Sequence, residues 1–452
     1  MEQVLSFALH KLPTSSINVL KSSSRSIANA VNELQTDNIY WLRRIENEFD
    51  LVIPIDKYKE DWKAVYGILY KGGVKSLLYS ENVNLVNLAL DNGGNPDTIM
   101  TFTTERGAES KFPIMHAAEL GYTGSVDRLL QDPRVDPSVW GNTTILKASK
   151  NGHADIVDRL LKDPRANPAD NYNQAIVDAS TYGHFRVVER LIKDNRVDPS
   201  ARVSSSIVFA SKYGYLDIVD MLLKDPRVNP GAQHNLAIIQ ASWNGYVDVV
   251  KRLLSEEKVD PSENDNEALM LASENGHLDV VNELLEDYRV NPADQSNKPI
   301  IDASLKGRLN VVNRLLEDPR VDPSDQDNAA IIKASWGGHL NVVNRLLEDP
   351  RVDPSDQYDK AIIDASSGGY LNVVNRLLED PRVSPVTQGN KAIIEAAKFG
   401  HLNIVNRLLE IPKVDPGAQY NKAYRTAIKY GYDDIADALL KSKRLRYYDS
   451  DD

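Results

Sequence analysis

The chain has no cysteine among its 452 residues. That removes disulfide staples, thiolate nucleophiles and cysteine-based zinc sites together, and it suits a reducing compartment. No apolar run approaches the roughly 18 residues from which a membrane-crossing helix is read. The N-terminus carries Glu2 and lacks a basic stretch leading into an apolar core, so no secretory leader is expected. Asn142-Thr143-Thr144 fits the glycosylation sequon, but without a secretory route it is read as unused. There is no phosphate-cradling glycine loop, no His-Glu-x-x-His helix, no nucleophile elbow and no dinucleotide-binding glycine set. Positive charge is in deficit, with 53 Lys and Arg against 65 Asp and Glu, a net charge of −12 and a pI near 5.3. This balance argues against nucleic acid or an anionic membrane as the main partner. The expectation is a non-enzymatic intracellular protein, cytoplasmic or nuclear, without cofactor or metal.

What the chain has instead is repetition. Residues 310–326, Asn-Val-Val-Asn-Arg-Leu-Leu-Glu-Asp-Pro-Arg-Val-Asp-Pro-Ser-Asp-Gln, recur letter for letter at 341–357. A glycine marks each copy at Gly121, Gly152, Gly183, Gly214, Gly245, Gly276, Gly307, Gly338, Gly369, Gly400 and Gly431, always 31 residues apart. A fixed period of this size marks a stacked-repeat architecture, which grows by units and escapes the usual length-to-domain count. The hydrophobic fraction of 42% is enough for a long continuous core.

From 111 to 441 every unit reads alike. A first helix is predicted to start at an asparagine, Asn142, Asn173, Asn235, Asn266, Asn297, Asn328, Asn390 or Asn421, with Ser204 and Asp359 in the two remaining places. All are good N-cap residues, because a side-chain oxygen can satisfy a free N–H of the first turn. Apolar residues and a small pair follow, as in Ile331-Ile332-Lys333-Ala334-Ser335. After the glycine turn, Leu309, Val311, Val312, Leu315 and Leu316 form a stripe too wide for one contact, to be covered by the partner helix and the next unit. Prolines such as Pro323 and Pro354 then force an extended connection. The fold class is all-α, a helix-turn-helix solenoid.

The flanks differ. Residues 1–71 are read as a small helical module, with Ile39, Leu42, Ile45 and Phe49 at helical spacing behind Asp37, and Trp62, Val65, Tyr66 and Leu69 marking another helix. Residues 72–110 are a degenerate capping repeat whose Gly94–Lys111 stretch is read as a long end-cap loop. Residues 111–441 make eleven repeats, and 442–452 form a charged tail.

Phe112-Pro113-Ile114-Met115-His116-Ala117-Ala118, then Gly121, Val126, Leu129 and Leu130, resembles the ankyrin repeat's T-P-L-H-x-A-A, glycine and V-x-x-L-L, and Lys298-Pro299-Ile300-Ile301-Asp302-Ala303-Ser304 keeps the proline. The resemblance covers about 72–441. The unit is two residues shorter than the usual 33, and the loss falls in the connection where that family builds its hairpin finger. This Asp-Pro-Arg-Val-Asp-Pro-Ser variety is similar to arrays in large DNA viruses and some protists. The T-P-L-H hydrogen-bonding set is mostly absent, and the asparagine column is expected to replace it. The resemblance implies a scaffold that binds a protein through its concave face and finger loops. Leu12-Pro13, Leu20, Ser24-Arg25-Ser26-Ile27, Trp41, Arg44, Phe49, Trp62 and Tyr66 are similar to an F-box and its trailing helix. That second resemblance implies an alternative, docking of residues 1–70 on an Skp1-type adaptor as the substrate receptor of a ubiquitin ligase.

Candidate chemistry reads as structural. His153, His184, His277, His339 and His401 follow the marker glycine, but tyrosine replaces them at 122, 215, 246, 370 and 432. A metal site would reject tyrosine, whereas a cap on the second helix tolerates both. Asp322, Asp325 and Asp327, and Asp353, Asp356 and Asp359, lack the glycine and terminal glutamate of a calcium loop and are assigned to turns and capping. The arginines at 128, 159, 190, 252, 314, 345, 376 and 407 are read as a solvated face with weak ion pairs. Lys441-Ser442-Lys443-Arg444-Leu445-Arg446 is read as a solubilising end cap. Variation of another kind falls on the exposed side of the first helix, the face that the ankyrin resemblance implies contacts partners. Tyr182, Tyr213, Trp243, Leu305, Trp336, Phe399 and Tyr430 stand just before the marker glycine, and Phe209 and Leu271 stand where other units carry Lys, Asp or Glu. Large apolar residues at positions that are polar elsewhere are the expected partner-binding set.

Overall fold

The computed structural model describes residues 38–49, 62–104, 107–442 and 444. The chain divides into two compact parts, Met1–Ser206 and Ile207–Asp452.

In the first part, α1 (Asn38–Phe49) packs on α2 (Trp62–Gly72). Leu42 and Ile45 from one and Val65 and Leu69 from the other are buried, as their helical spacing requires. A 3-10 turn (Val74–Tyr79) leads into α3 (Val83–Asp91), whose N-cap Asn82 accepts from the Asn84 N–H at 2.9 Å. The stretch expected to be a loop contains a β-hairpin, β1 (Met100–Thr104) antiparallel to β2 (Gly107–Lys111), with Phe102 opposite Glu109. The sequence cue was its threonine-rich, β-branched composition. Its anchor lies outside the stretch: the Tyr79 hydroxyl accepts the Met100 N–H at 3.0 Å and sits 2.7 Å from the Lys111 carbonyl.

In the repeats a first helix such as Asp325–Trp336 is followed by a second such as Leu340–Leu347. In the second part successive first helices from Ala232–Asn244 to Ala418–Tyr430 lie against one another, and the second helices likewise pack on one another. Val311, Val312, Leu315, Ile331 and Ala334 are at most 1% exposed. Burying each such valine, leucine or isoleucine is worth roughly 1.5–3 kcal/mol. The centre of the stripe, Val311, Val312 and Leu315, is thus covered by its own partner helix and by its neighbours, while its flanks Leu309 and Leu316 stay half-buried.

The connection departs from expectation. Two turns enclose only two extended residues, 321–322 in one copy. Next comes a single left-handed turn: Gln326, Asp327 and Asn328 have φ of 53°, 53° and 61°. The same three-residue excursion recurs in every repeat from Trp140-Gly141-Asn142 to Gln419-Tyr420-Asn421. For residues with a Cβ this costs roughly 1–2 kcal/mol each, so neighbouring repeats must hold it in place. No strand forms in these connections among the described residues.

The marker glycine has two reasons to be glycine. Gly369 has φ of 81°, closing the first helix in the left-handed region, and a Cβ there would lie 2.7 Å from the His401 ring of the following repeat.

Candidate functional site

The residues that recur are spent on neighbouring repeats. The asparagine column does not cap its own helix. Asn328 is 4% exposed. Its Oδ1 accepts the Asp353 N–H at 2.7 Å and its Nδ2 donates to Asp356 at 2.8 Å, both in the following repeat. Asn297 bridges likewise to Asp322 and Asp325 at 2.8 and 2.9 Å, and Asn142 in the first part bridges to Asn167 and Asp170 at 2.6 and 2.7 Å. Where the column holds Asp359, the first bond is kept and the second is reversed: it accepts the Ser384 N–H at 2.7 Å as the asparagines do, but the Thr387 hydroxyl donates to its other oxygen. Donor and acceptor have exchanged sides, 28 residues apart. Of the aspartates considered for calcium, Asp322, Asp325, Asp353, Asp356 and Asp359 are held in this way or in turns, as where the Ser324 N–H and hydroxyl donate to Asp322 at 3.0 and 2.7 Å.

The histidines after the glycine are structural but do not cap the second helix. His277, His339 and His401 each place Nε2 2.9 Å from a carbonyl of the preceding repeat, of Trp243, Leu305 and Ser367. A carbonyl only accepts, so Nε2 carries the proton there. Arg308 makes the same reach to Glu274 at 3.0 Å. In the Asp-Pro-Arg turns, Arg351 grips Asp349 with Nε and Nη2 at 3.0 and 2.8 Å and extends Nη1 to the Val321 carbonyl of the preceding repeat at 2.9 Å. The arginine fork holds the Asp349 carboxyl below its usual range. Arg444 belongs to this column, with Nη1 3.0 Å from the Val414 carbonyl. The other arginine column also runs between repeats: Arg252 meets Asp220 at 2.7 Å, whereas Arg314, Arg376 and Arg407 meet asparagine oxygens at 2.9–3.0 Å.

The varying residues face the other way. Tyr182, Tyr213, Trp243, Trp336, Phe399 and Tyr430 are 42–58% exposed, and Phe209, Leu271 and Leu305 are half-buried. They occupy two adjacent registers: Trp243, Leu305 and Trp336 stand two places before the glycine and the other aromatics one place before it. Phe209 sits one helical turn behind Tyr213. Lysines lie over several of the rings, Lys398 at 4.7 Å from the Phe399 centroid and Lys429 at 5.5 Å from Tyr430.

A second exposed set went unread in the sequence. Trp140, Tyr172, Val203, Tyr358 and Tyr420 lie in the left-handed turns and are 52–79% exposed. The signal was present, since places equivalent to Tyr172, Val203, Tyr358 and Tyr420 hold Ser296, Asp327 or Gly389, and places equivalent to Trp140 hold Gln295 or Gln326.

In the N-terminal module, Trp41 and Phe49 pack on Tyr66 at 4.9 and 5.9 Å, with the Arg44 guanidinium 5.1 Å from the same ring. Those residues make contacts inside the module. Leu12, Pro13, Leu20 and Ser24–Ile27, which carry the rest of the F-box resemblance, lie outside the described residues.

The family model described as ankyrin repeats (3 copies) matches residues 114–203, 206–296, 238–327, 269–358 and 361–449, well over half of the chain. The chain belongs to the ankyrin-repeat family. No curated protein matches it. This ankyrin-repeat chain is accordingly a scaffold of the protein-binding kind. Among its described residues no helix is long and apolar enough to cross a membrane, and no group of three or more metal-ligating side chains is gathered.

Proposed function

We propose that the ankyrin array engages a protein partner with the outer face of its first helices in the second part, flanked by the left-handed turns. One observation carries this reading. Trp243, Trp336, Phe399 and Tyr430 each leave 46–58% of their surface in water, at places where sister repeats have Asn275, Lys306, Ser367 or Gly368. Rings of this size left open at otherwise polar positions are what a binding hot spot uses. Tyr182 presents the same feature on the first part, and Tyr358 and Tyr420 offer matching anchors at the turns.

The test replaces Trp243 and Trp336 together by Ala. Partner capture is expected to fall while the circular dichroism of the helices and the unfolding midpoint stay near those of the parent. Unfolding of the double variant, or capture at the parental level, would overturn the proposal.

A further inference from the structure

Although the chain is acidic overall, its charge is not evenly placed. On the stretches of the first helices that follow the left-handed turns, 298–306, 329–337, 360–368, 391–399 and 422–430, there are nine lysines and arginines against three acids. Those three acids are already engaged one turn away: Lys298 meets Asp302 at 2.8 Å, Lys391 and Lys398 both meet Glu395, at 2.5 and 3.6 Å, and Lys360 pairs with Asp364, which leaves six positive charges in excess. The surplus cations surround the half-exposed rings. Lys333 is exposed one turn from Trp336, and Lys398 and Lys429 lie over Phe399 and Tyr430. In two of the same repeats the opposite sign stands at the left-handed turns, with Asp327 in one turn and Asp325 and Asp356 just ahead of the two turns.

Resting on the function proposed above, we propose that the partner segment taken up by this face is an acidic stretch of polypeptide bearing apolar side chains. Its carboxylates would meet the lysine surplus while its apolar groups cover Trp336 and Phe399. The same lysine-and-ring pattern suits single-stranded nucleic acid. A continuous phosphate backbone, however, would run beside the aspartates of the turns and against a net charge of −12. A peptide can place its charges only where the lysines are.

Fluorescence anisotropy with the full chain tests this. The probes are a labelled 16-residue peptide alternating Glu and Asp with Leu and Phe, its Gln/Asn and Lys counterparts, and a 16-nucleotide oligouridine. The acidic peptide is expected to bind, the Gln/Asn form to bind about tenfold more weakly, and the affinity to fall with salt. The triple reversal Lys333→Glu, Lys398→Glu and Lys429→Glu should cost about tenfold or more. The charge-matched control Lys162→Glu, Lys224→Glu and Lys441→Glu, at the ends of second helices, should cost little. Absence of acidic-peptide binding, equal binding of the neutral or basic peptide, equal loss in the control, or tighter binding of the oligouridine would overturn the assignment. If the Trp243/Trp336 double variant loses capture while the triple reversal keeps it, only the acidic assignment falls. If neither changes capture, the function proposed above falls with it.

Discussion

The connecting turns and the outer face of the first helices are built from the same repeats but use their side chains in opposite ways. In the turns, Asn328, Asp349, Arg351 and Asp356 recur and are tied to a neighbour or to each other. On the helix face, Trp336, Phe399, Lys306 and Ser367 vary at equivalent places and stay wholly or partly open to water. The difference teaches that, within one chain, repetition marks residues committed to holding repeats together, and departures from it mark surface left for something else. A turn of left-handed helix is intrinsically unfavourable. The buried carboxamide at its end offsets this with two hydrogen bonds to the following repeat.

The sharpest way to break this contrast is to reverse a committed residue without compensation. Asn328→Asp sets a buried carboxylate against Asp356 and should cost about 3 kcal/mol in urea unfolding. Adding Asp356→Thr recreates the Asp359–Thr387 arrangement and should recover most of the loss. Failure of that rescue would show that the exchange of polarity is not what stabilises the site.

A smaller effect is expected at the arginine forks. The carboxyls of Asp318, Asp349 and Asp380 are lowered chiefly by their arginine partners. Their folded pKa lies below the unfolded value of about 3.9. Their contribution is therefore fully present above that pH and is lost as pH falls through the folded value. Unfolding free energy measured from pH 6 to pH 2 should decline below about pH 4, and Arg351→Ala should flatten the decline while lowering stability at pH 6. An unchanged slope would remove the forks from the account.

Smaller again, and of opposite sign, is Ser335→Ala. The Ser335 hydroxyl is fully buried with no hydrogen-bond partner, and Ala397 fills the same place in another repeat. Removing it should raise stability by about 1 kcal/mol, seen as a higher unfolding midpoint. The least effect belongs to the open face: Trp336→Ala should shift unfolding by no more than about 0.5 kcal/mol, since the ring is 58% exposed. A large shift there would erase the distinction between committed and open surface.

Much of the architecture was legible in the sequence because it depends on local periodicity. The recurring glycine, the Val-Val-x-x-Leu stripe and the small Ala-Ser pair each report a helix face within one turn or two, and those faces are buried as their spacing requires. The hairpin at 100–111 was harder to read, because its anchor, Tyr79, lies outside the stretch. The candidate face was readable as an excess of large apolar residues. The opposite charge of face and turns emerged only once the two sides of each repeat had been placed.

By itself, the sequence determined the 31-residue period, the two helices in each period and the stripe that obliges repeats to stack. Tertiary structure alone decided what Asn328, His339 and Arg351 do. A local rule assigns an asparagine before a helix to that helix's own first N–H groups. Here the hydrogen-bond partners of Asn328 lie 25 and 28 residues along the chain and come within reach only when the next repeat is in place. That contact holds Gln326, Asp327 and Asn328 itself in the left-handed region, which their own side chains would not choose.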